Sequence, residues 1–379
     1  MKLKYLTVIL FIILTMCLVA FGIKTSVSDK NDEHKSSPGE KTEIVVLHNT
    51  EEVSEKINEA LDGKSDGTIS LNISNDISDD ELKKVNLAVN SMKGSIKSIT
   101  IYNTNTYDLS ESYREVEFDY VRSDTMYVYD SIVNNADIPE DKIEALKLRN
   151  VCQSFISQNI SEYMTDYDKE LAIHDYIINN CEYGFSDNND DSEYSAYGAL
   201  VNGKAVCSGY AAATNLLLMC VGIDSNVITG LATNLETGET ENHAWNQVKI
   251  GGEWYHLDTT WDDPVGVRES MIHEFFNVSD DIIDDTHEWD KNNATMCSSM
   301  KYNYYIRKGA YIYDVNSLEN YCYTQLTTGN DDYLECALKN VDVTDETLQF
   351  LFNYDMVETI SYSTDGTDEY KILSVYINQ

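Results

Sequence analysis

Two strand-like segments joined by Gly251 and Gly252 constrain the fold more than any other feature of the sequence. The segments run from 243 to 250 and from 254 to 261. A pair of glycines is typical of a two-residue hairpin turn, because both turn positions need a backbone conformation that side chains disfavour. The pattern therefore predicts two adjacent antiparallel strands.

The turn also determines which residues face one another. With two turn residues, Ile250 pairs with Glu253 and His243 faces Thr260. Asp258 is then a diagonal neighbour of His243 on the same side of the sheet, about 7–8 Å away and within reach of its side chain. The opposite side is an apolar core face, made of Ala244, Val248, Ile250, Tyr255 and Leu257. A three-residue turn would break this register.

Two of the helices predicted before the hairpin have start signals in the sequence, and they follow a predicted helix over 141–158. The first would start at Thr165, with Asp168 three residues later completing a capping box. The second is apolar, begins at Cys207 in the stretch 203–211, and ends before Gly222. The N–H groups and the dipole at a helix start favour a thiolate, and they could also hold an oxyanion.

Cys207, His243 and Asp258 form a candidate catalytic triad. A cysteine nucleophile needs a base that takes its proton, and the base needs an acceptor that holds its tautomer and orientation. His243 is the predicted base and Asp258 is its predicted partner. His256 is a rival base, because it shares the predicted face of His243.

At these residues the sequence resembles the transglutaminase-like superfamily, in particular its exported bacterial members. The resemblance rests on G-K-A-V-C-S-G-Y-A at 203–211, N-H-A-W-N at 242–246 and W-Y-H-L-D-T-T-W-D-D-P at 254–264. It extends over about residues 140–315. It implies an α+β, papain-like core, in which the cysteine helix packs on an antiparallel sheet and carries a Cys–His–Asp site.

The resemblance adds two candidate site residues. Related enzymes use an aromatic or polar side chain to hold the oxyanion, and Tyr197 is the candidate here. Trp245 is a candidate wall of the substrate groove. No cofactor and no metal is predicted, since no residue matches the calcium sites of some animal members. The stretch 198–204 fits a phosphate-binding loop, but Ala205 replaces the Ser or Thr that would hold magnesium.

Charge and composition bear on the partners. The formal net charge is −38, from 65 acidic and 27 basic residues, which argues against nucleic acid as a partner. Hydrophobic residues make up 42% of the chain, enough for folded domains. Protein or peptide at the cell envelope is the predicted substrate. The oligomeric state is not predicted.

An uncharged run from Tyr5 to Ile23 follows two lysines. Its length is near the ~20 residues that span a bilayer, and the positive charge lies on its N-terminal side. We therefore expect a signal peptide or membrane anchor over 1–23 and an extracytoplasmic, membrane-anchored or secreted body. Cleavage is left open, and the resemblance of Cys17 to a lipoprotein site is weak.

Four segments are predicted after the leader. They are a polar linker (24–42), an N-terminal α/β region (43–135), the catalytic domain (136–301) and a C-terminal α+β extension (302–379). Six cysteines remain besides Cys17 and Cys207, at wide and irregular spacings, so their disulfide pairing is left open.

The predicted reaction starts at an amide carbonyl. Cys207 attacks, ammonia or an amine leaves with His243 as the acid, and a thioester forms. Water then gives a peptidase or deamidase, whereas a second amine gives a transglutaminase. The frequency of hydrolases among the bacterial relatives favours hydrolysis slightly. The alternative is a catalytically silent cell-surface scaffold or adhesion protein that keeps the fold.

Overall fold

The computed structural model describes residues 24–28, 45–63, 65–88, 93–102, 112–185, 191–235, 237–263, 272–292, 294–328, 333–353, 357–367 and 369–378. The chain divides into two compact units, one up to Leu146 and one from Lys147 onward. The division falls inside the helix Ile143–Asn159 rather than near residue 135, where the sequence analysis placed it.

The first unit is a mixed sheet with helices packed on it. Its strands lie in the order β1-β4-β5-β3-β2 and are β1 (Lys24–Ser28), β2 (Val46–Leu47), β3 (Gly67–Ser74), β4 (Gly94–Tyr102) and β5 (Tyr113–Arg122). Its helices are α1 (Thr50–Leu61), α2 (Asp79–Ala88) and α3 (Asp124–Val133). The core is aliphatic apart from Phe118 and includes Val53, Ile57, Leu61, Ile73, Leu82, Ile99 and Val116.

Residues 24–28 form the edge strand β1, although the sequence analysis assigned 24–42 to a linker. β1 runs parallel to β4 along its whole length. Thr25 and Val27 are β-branched and suit a strand. The predicted leader and the rest of the linker lie outside the described residues. Among the helices of the described part, none has the length and apolar content needed to cross a membrane.

The second unit contains the helix that begins with Cys207. Its longer helices are α4 (Ile143–Asn159), α5 (Asp166–Asn180) and α6 (Cys207–Cys220). The capping box of α5 is confirmed: Thr165 Oγ1 accepts from the Asp168 N–H, and the Asp168 carboxylate accepts from the Thr165 N–H. Two short strands, β6 (Glu182–Tyr183) and β7 (Lys204–Ala205), pair in parallel just before α6.

α6 packs on an antiparallel sheet. The sheet has the order β11-β10-β9-β8-β12, with β8 (Ser225–Thr233), β9 (Thr240–Ile250), β10 (Glu253–Leu257), β11 (Phe276–Val278) and β12 (His287–Trp289). The Asn246 side chain on β9 donates to the Ala211 carbonyl of α6 at 3.0 Å. The predicted α+β fold, with the cysteine helix on an antiparallel sheet, is confirmed.

The β9–β10 hairpin has the predicted two-residue turn, and both of its glycines have positive φ, 60° and 90°. The register is the predicted one up to Leu257. β10 ends there, so the predicted pairing of Thr260 with His243 is wrong. The Asp258 N–H donates to the Phe275 carbonyl instead, at 3.2 Å, and the chain leaves the β9–β10 ladder.

The residues from 302 onward complete the core of the second unit. They include α8 (Tyr304–Lys308), which follows the short α7 (Asp280–Ile283), and then β13 (Tyr311–Ile312), α9 (Val315–Thr328), β14 (Tyr333–Leu338), α10 (Asp345–Leu348), β15 (Thr359–Gly366) and β16 (Lys371–Asn378). One hydrophobic cluster joins Trp245 and Trp289 of the central sheet to Leu338 and Ile372 of this region. The predicted extension therefore shares its core with the cysteine-bearing region.

Candidate active site

Cys207 is the first residue of α6. Val206 precedes it with an extended backbone, and its side chain provides no helix cap. The first N–H groups of a helix have no acceptor inside the helix, and they point outward from its positive end. Cys207 is partly exposed. The thiol therefore lies at the end of the helix that favours negative charge.

The start of α6 is held against the chain that precedes it. A Cβ atom at Gly209 would lie 2.4 Å from the Glu193 carbonyl oxygen and 3.1 Å from that of Ser195. The same Glu193 carbonyl accepts from the Val206 N–H at 3.0 Å. Only glycine permits this approach, which fixes the position of Cys207 relative to the preceding segment.

His243 and Asp258 are joined by a direct hydrogen bond. The His243 Nε2 atom lies 2.7 Å from Asp258 Oδ2, and both side chains are buried. A carboxylate only accepts hydrogen bonds, so Nε2 carries a hydrogen and Nδ1 is left to act as the base. The Cys207 thiol is near enough to the same imidazole to raise its pKa. The three predicted residues therefore lie together.

Burial and neighbouring charges act in opposite directions on this pair. Burial lowers the pKa of His243, but the Asp258 carboxylate and the hydrogen bonds to Asp258 and Cys207 outweigh it and raise the pKa to about 10. Burial raises the pKa of Asp258, and the bonds and charges of His243 and His287 bring it below its usual range. The raised pKa favours the imidazolium form of His243, and an imidazolium stabilises a neighbouring thiolate.

Backbone groups hold the second oxygen of Asp258. Oδ1 accepts from the N–H groups of Thr260 at 2.9 Å and Trp261 at 3.2 Å. Four residues further on, Asp262 Oδ2 lies 3.1 Å from Nε2 of His174 in α5. The segment that follows β10 is therefore fixed both by its own turn and by a helix from another part of the domain.

His256, the rival base, is occupied elsewhere. Its Nδ1 accepts from the Trp245 indole N–H at 2.9 Å, and its Nε2 lies 2.8 Å from Asp280 Oδ1. The ring is fully buried. Both nitrogens are thus engaged in a structural network, and His243 is the better candidate base.

The other two candidate residues have different surroundings from those predicted. Trp245 is 1% exposed and stacks on His243 with ring centroids 6.0 Å apart, so the prediction that it lines a substrate groove is wrong. Large apolar rings pack behind the imidazole, and Trp245 is one of them. The Tyr197 hydroxyl accepts a hydrogen bond from Nζ of Lys147 in α4 at 3.3 Å, and its predicted role toward the oxyanion stays a prediction.

Two residues beside the triad were missed by the sequence analysis. Tyr183 of β6 has its pKa raised by burial and by the charges of Cys207 and Glu241, which places its ring near the thiol. The Nε2 atom of His287 lies 3.1 Å from Asp258 Oδ2. Each is brought there by a strand pairing that joins distant parts of the chain. No local pattern around His287 indicated a role for it.

The seven cysteines among the described residues are free thiols, and Cys207 differs from the other six in its surroundings. Burial raises the pKa of all six: to about 11 for Cys181, to about 12 for Cys220, Cys297 and Cys322, and well above the ordinary value for Cys152 and Cys336. These thiols stay uncharged at neutral pH, so they are poor nucleophiles.

Three groups within the described residues have the composition of a metal site. They are His174–Asp175–His273, His243–Asp258–His287 and His256–Asp280–Cys297. In each group a direct imidazole–carboxylate hydrogen bond is present, at 2.9, 2.7 and 2.8 Å respectively. These hydrogen bonds account for the arrangement of the side chains without an ion.

A family model described as the transglutaminase-like superfamily matches residues 154–259, which contain Cys207, His243 and Asp258. This part of the chain belongs to the transglutaminase-like superfamily. The transglutaminase-like domain so defined includes α5, α6 and the β9–β10 hairpin, and it ends one residue after Asp258.

Known proteins resemble parts of the chain. Human kyphoscoliosis peptidase is 25% identical over 128 residues, which are 32% of this chain and 19% of that protein, so the chain spans less than a fifth of this relative's length. A solved TGase has 16% identity and a TM-score of 0.27, and the match covers 55% of each chain. A Cytophaga hutchinsonii protein described as a cysteine protease has 18% identity and a TM-score of 0.26, with 52% of this chain and 67% of that chain covered. TM-scores this low carry no argument about the activity of this chain.

Proposed function

We propose that the transglutaminase-like domain is a thiol enzyme that acts on amide carbonyls of protein or peptide substrates. Cys207 is the nucleophile, His243 is the base and then the acid, and Asp258 holds the imidazole. One observation carries the proposal: the His243 imidazole is hydrogen-bonded to Asp258 at 2.7 Å and has its pKa raised by Cys207, which is the first residue of a 14-residue helix.

The reaction follows from this geometry. The Cys207 thiolate attacks the carbonyl carbon, and the N–H groups at the start of α6 face the oxyanion that forms. His243 then donates its proton to the departing ammonia or amine, and a thioester remains. In the second half His243 takes a proton from water, which gives hydrolysis, or from an amine, which gives transfer. We favour hydrolysis, by a peptidase or deamidase.

The site of action is proposed to be outside the cytoplasm, at the cell envelope. The support is the uncharged run from Tyr5 to Ile23 behind two lysines. A fusion of residues 1–42 to a periplasmic reporter enzyme tests this, since activity of the reporter requires export. A reporter that is expressed but inactive, and found only in the cytosolic fraction, would refute it.

The thiol itself can be tested before any substrate is known. Iodoacetamide labelling of each cysteine, read by mass spectrometry across a pH series, should modify Cys207 rapidly well below about pH 8.5, where ordinary thiols ionise. His243→Ala should abolish this rapid labelling. Cys220→Ala is the matched control, because Cys220 is also only partly buried but has its pKa raised to about 12.

Substrate screening then separates the two outcomes of the thioester. Ammonia release from glutamine-containing peptides reports formation of the thioester in either case. Incorporation of a fluorescent primary amine into the peptide indicates transfer, and its absence indicates hydrolysis; Cys207→Ala must remove both signals. If Cys207 labels no faster than an ordinary thiol in both the wild type and His243→Ala, the enzyme proposal fails. The silent scaffold or adhesion protein then becomes the better account.

A further inference from the structure

Asp258 accepts from two imidazoles at the same oxygen. Oδ2 lies 2.7 Å from Nε2 of His243 and 3.1 Å from Nε2 of His287. Since Oδ1 is occupied by two backbone N–H groups, the two histidines share the acceptor strength of a single atom. The candidate triad therefore has a fourth member that does not touch the thiol.

Strand pairing explains how His287 reaches this position. β8 lies between β9 and β12, and Gly230 of β8 stands opposite His243 on one side and Trp289 on the other. A Cβ atom at Gly230 would lie 2.1 Å from the Glu288 carbonyl oxygen. Glycine at this point lets β12 approach closely, which brings the His287 ring under the carboxylate.

The ring of His287 is held on several sides. Trp245, Trp261 and Phe275 contact it, with ring centroids 4.9, 4.6 and 5.4 Å away. The side chain is fully buried, and its Nδ1 lies 2.7 Å from Oγ1 of Thr286. A ring packed in this way cannot turn without displacing its aromatic neighbours.

The hydrogen bonds define the tautomer of His287. Asp258 only accepts, so Nε2 carries the hydrogen. The Thr286 hydroxyl lies 2.7 Å from Nδ1 and 3.3 Å from the Ile283 carbonyl, and we assign its hydrogen to the shorter contact, so that Nδ1 accepts. The titratable groups that face the ring are Asp258, His243 and His256. Burial lowers the pKa of His287, Asp258 raises it, and His243 and His256 lower it further, so the net shift is downward. His287 is therefore a neutral donor at neutral pH.

We propose that His287 is a positioning residue of the candidate site: its Nε2–H holds the Asp258 carboxylate in place and takes up part of the acceptor strength of Oδ2, which limits how firmly His243 keeps its proton. This inference rests on the proposed function. An imidazolium that is too firmly paired with its carboxylate is a weak acid toward the leaving group. A second donor on the same oxygen corrects this without contacting the substrate.

The test is the pH profile of Cys207 labelling by iodoacetamide. A thiolate–imidazolium pair gives two inflections, one where the pair forms and an alkaline one where His243 loses its proton. Removing the donor with His287→Phe should move the alkaline inflection upward by roughly 0.5–1 pH unit, the equivalent of one net hydrogen bond. His287→Gln keeps an N–H near the position of Nε2 and should restore the wild-type value.

The outcomes separate the two proposals. If the wild type has both inflections but neither variant moves the alkaline one, the Asp258 carboxylate is held by the backbone alone and the role of His287 is refuted while the enzyme proposal stands. An equal shift in His287→Phe and His287→Gln also refutes it, because the shift then reflects packing. If the wild type has only the single inflection of an ordinary thiol, the proposed function fails and this inference fails with it.

A second measurement does not depend on a variant that folds. In the wild-type protein, ¹⁵N NMR of labelled histidine should show His287 with Nε2 protonated and Nδ1 unprotonated at neutral pH. The opposite tautomer, or a doubly protonated ring, would overturn the assignment of His287 as a neutral donor.

Discussion

His174 bridges two carboxylates: its Nδ1 lies 2.9 Å from Asp175 Oδ1, and its Nε2 lies 3.1 Å from Asp262 Oδ2. Burial lowers the pKa of His174, but the hydrogen bonds and charges of the two aspartates outweigh it and raise the pKa to about 9. Because Asp262 follows Asp258 by four residues, this buried ion pair ties α5 to the segment that carries the candidate triad acid.

Replacing His174 with Phe should reduce the free energy of unfolding by about 3–5 kcal/mol at mildly acidic pH, since it leaves the Asp262 carboxylate buried without its partner. The folded-state pKa is raised from the unfolded value of 6.5 to about 9, so the stabilisation is fully present below about pH 6.5 and is lost as pH rises through about 9. Urea unfolding followed by tryptophan fluorescence measures this free energy, because all four tryptophans lie in the second unit, which contains His174.

Lys169→Ala on the same helix is the control for His174→Phe. Lys169 pairs with Asp166 at 3.2 Å on the exposed surface of α5. Such pairs contribute about 0–1 kcal/mol, so this variant should unfold almost as the wild type does. A loss in His174→Phe that stayed constant up to strongly alkaline pH would show that packing, rather than the ion pair, is responsible.

Glu170→Gln should make the protein more stable at slightly alkaline pH. Burial raises the pKa of Glu170 from 4.5 to about 8, with the hydrogen bond from Asn277 acting against it. An acid with a raised folded-state pKa gives stability that is present below about pH 4.5 and is lost as pH rises through about 8. The free energy of unfolding of the wild type minus that of the variant should fall with a slope approaching 1.4 kcal/mol per pH unit in this window.

The matched control for Glu170→Gln is Glu239→Gln, at an exposed position of the β8–β9 loop. Its unfolding free energy should track the wild type across the pH series. Parallel curves for Glu170→Gln and the wild type would mean that the Glu170 carboxyl ionises normally in the folded protein.

Gly209→Ala should destabilise the protein even though alanine favours a helix by about 1 kcal/mol. The added Cβ would meet two carbonyl oxygens of the preceding segment, at 2.4 and 3.1 Å, and the Cβ of Ala205 at 2.7 Å. Backbone atoms cannot move aside cheaply, so α6 would shift and carry Cys207 with it. The midpoint temperature of thermal unfolding and the rate of Cys207 labelling should both decrease.

Gly222→Ala is informative beside Gly209→Ala, because nothing lies within 4 Å of a Cβ atom there and only its φ of 84° opposes a side chain. It should cost about 1 kcal/mol and leave labelling of Cys207 unchanged. Equal labelling losses in the two variants would refute the steric argument for Gly209.

Asp258→Asn should lower turnover by about 10⁴-fold, the loss seen when the acid of a Ser–His–Asp triad is converted to its amide. The backbone N–H groups at Oδ1 must keep an acceptor, so the amide NH₂ of the variant would face His243 and His287. His243 would then accept at Nε2 and carry its hydrogen on Nδ1, where it cannot take the thiol proton. Asp280→Asn alters the His256–Asp280 pair, which is separate from the candidate triad, and should leave Cys207 labelling within a few-fold of the wild type.

Local patterns predicted the elements whose determinants lie close together in the sequence. The capping box of α5 needs only Thr165 and Asp168, and the register of β9 and β10 follows from their glycine turn. Both agree with the structure. Cys207 likewise begins α6, because an apolar run and a helix stop mark that helix.

Long-range pairings account for what the sequence did not reveal. Asp258 reaches His243, but not through the predicted strand register. The Asp258 N–H bonds to the Phe275 carbonyl, so the chain leaves the β9–β10 pairing at this residue. The N–H groups of the following turn then orient the Asp258 carboxylate. The positions of His287 and Tyr183 depend on the pairing of β12 with β8 and of β6 with β7. No local sequence pattern specifies these pairings. Tyr197 was chosen by analogy with related enzymes, and its hydroxyl is bound by Lys147.

The hydrophobic cluster that joins the central sheet of the second unit to its C-terminal strands also affects the order in which the protein folds during synthesis. The ribosome delivers Cys207 and His243 long before β14 and β16, yet Trp245 and Trp289 have Leu338 and Ile372 in their cluster. A nascent chain that ends before β14 lacks the partners that complete the packing around these indole rings. Because Trp245 stacks on His243, the surroundings of the candidate base are complete only when the late strands have been added.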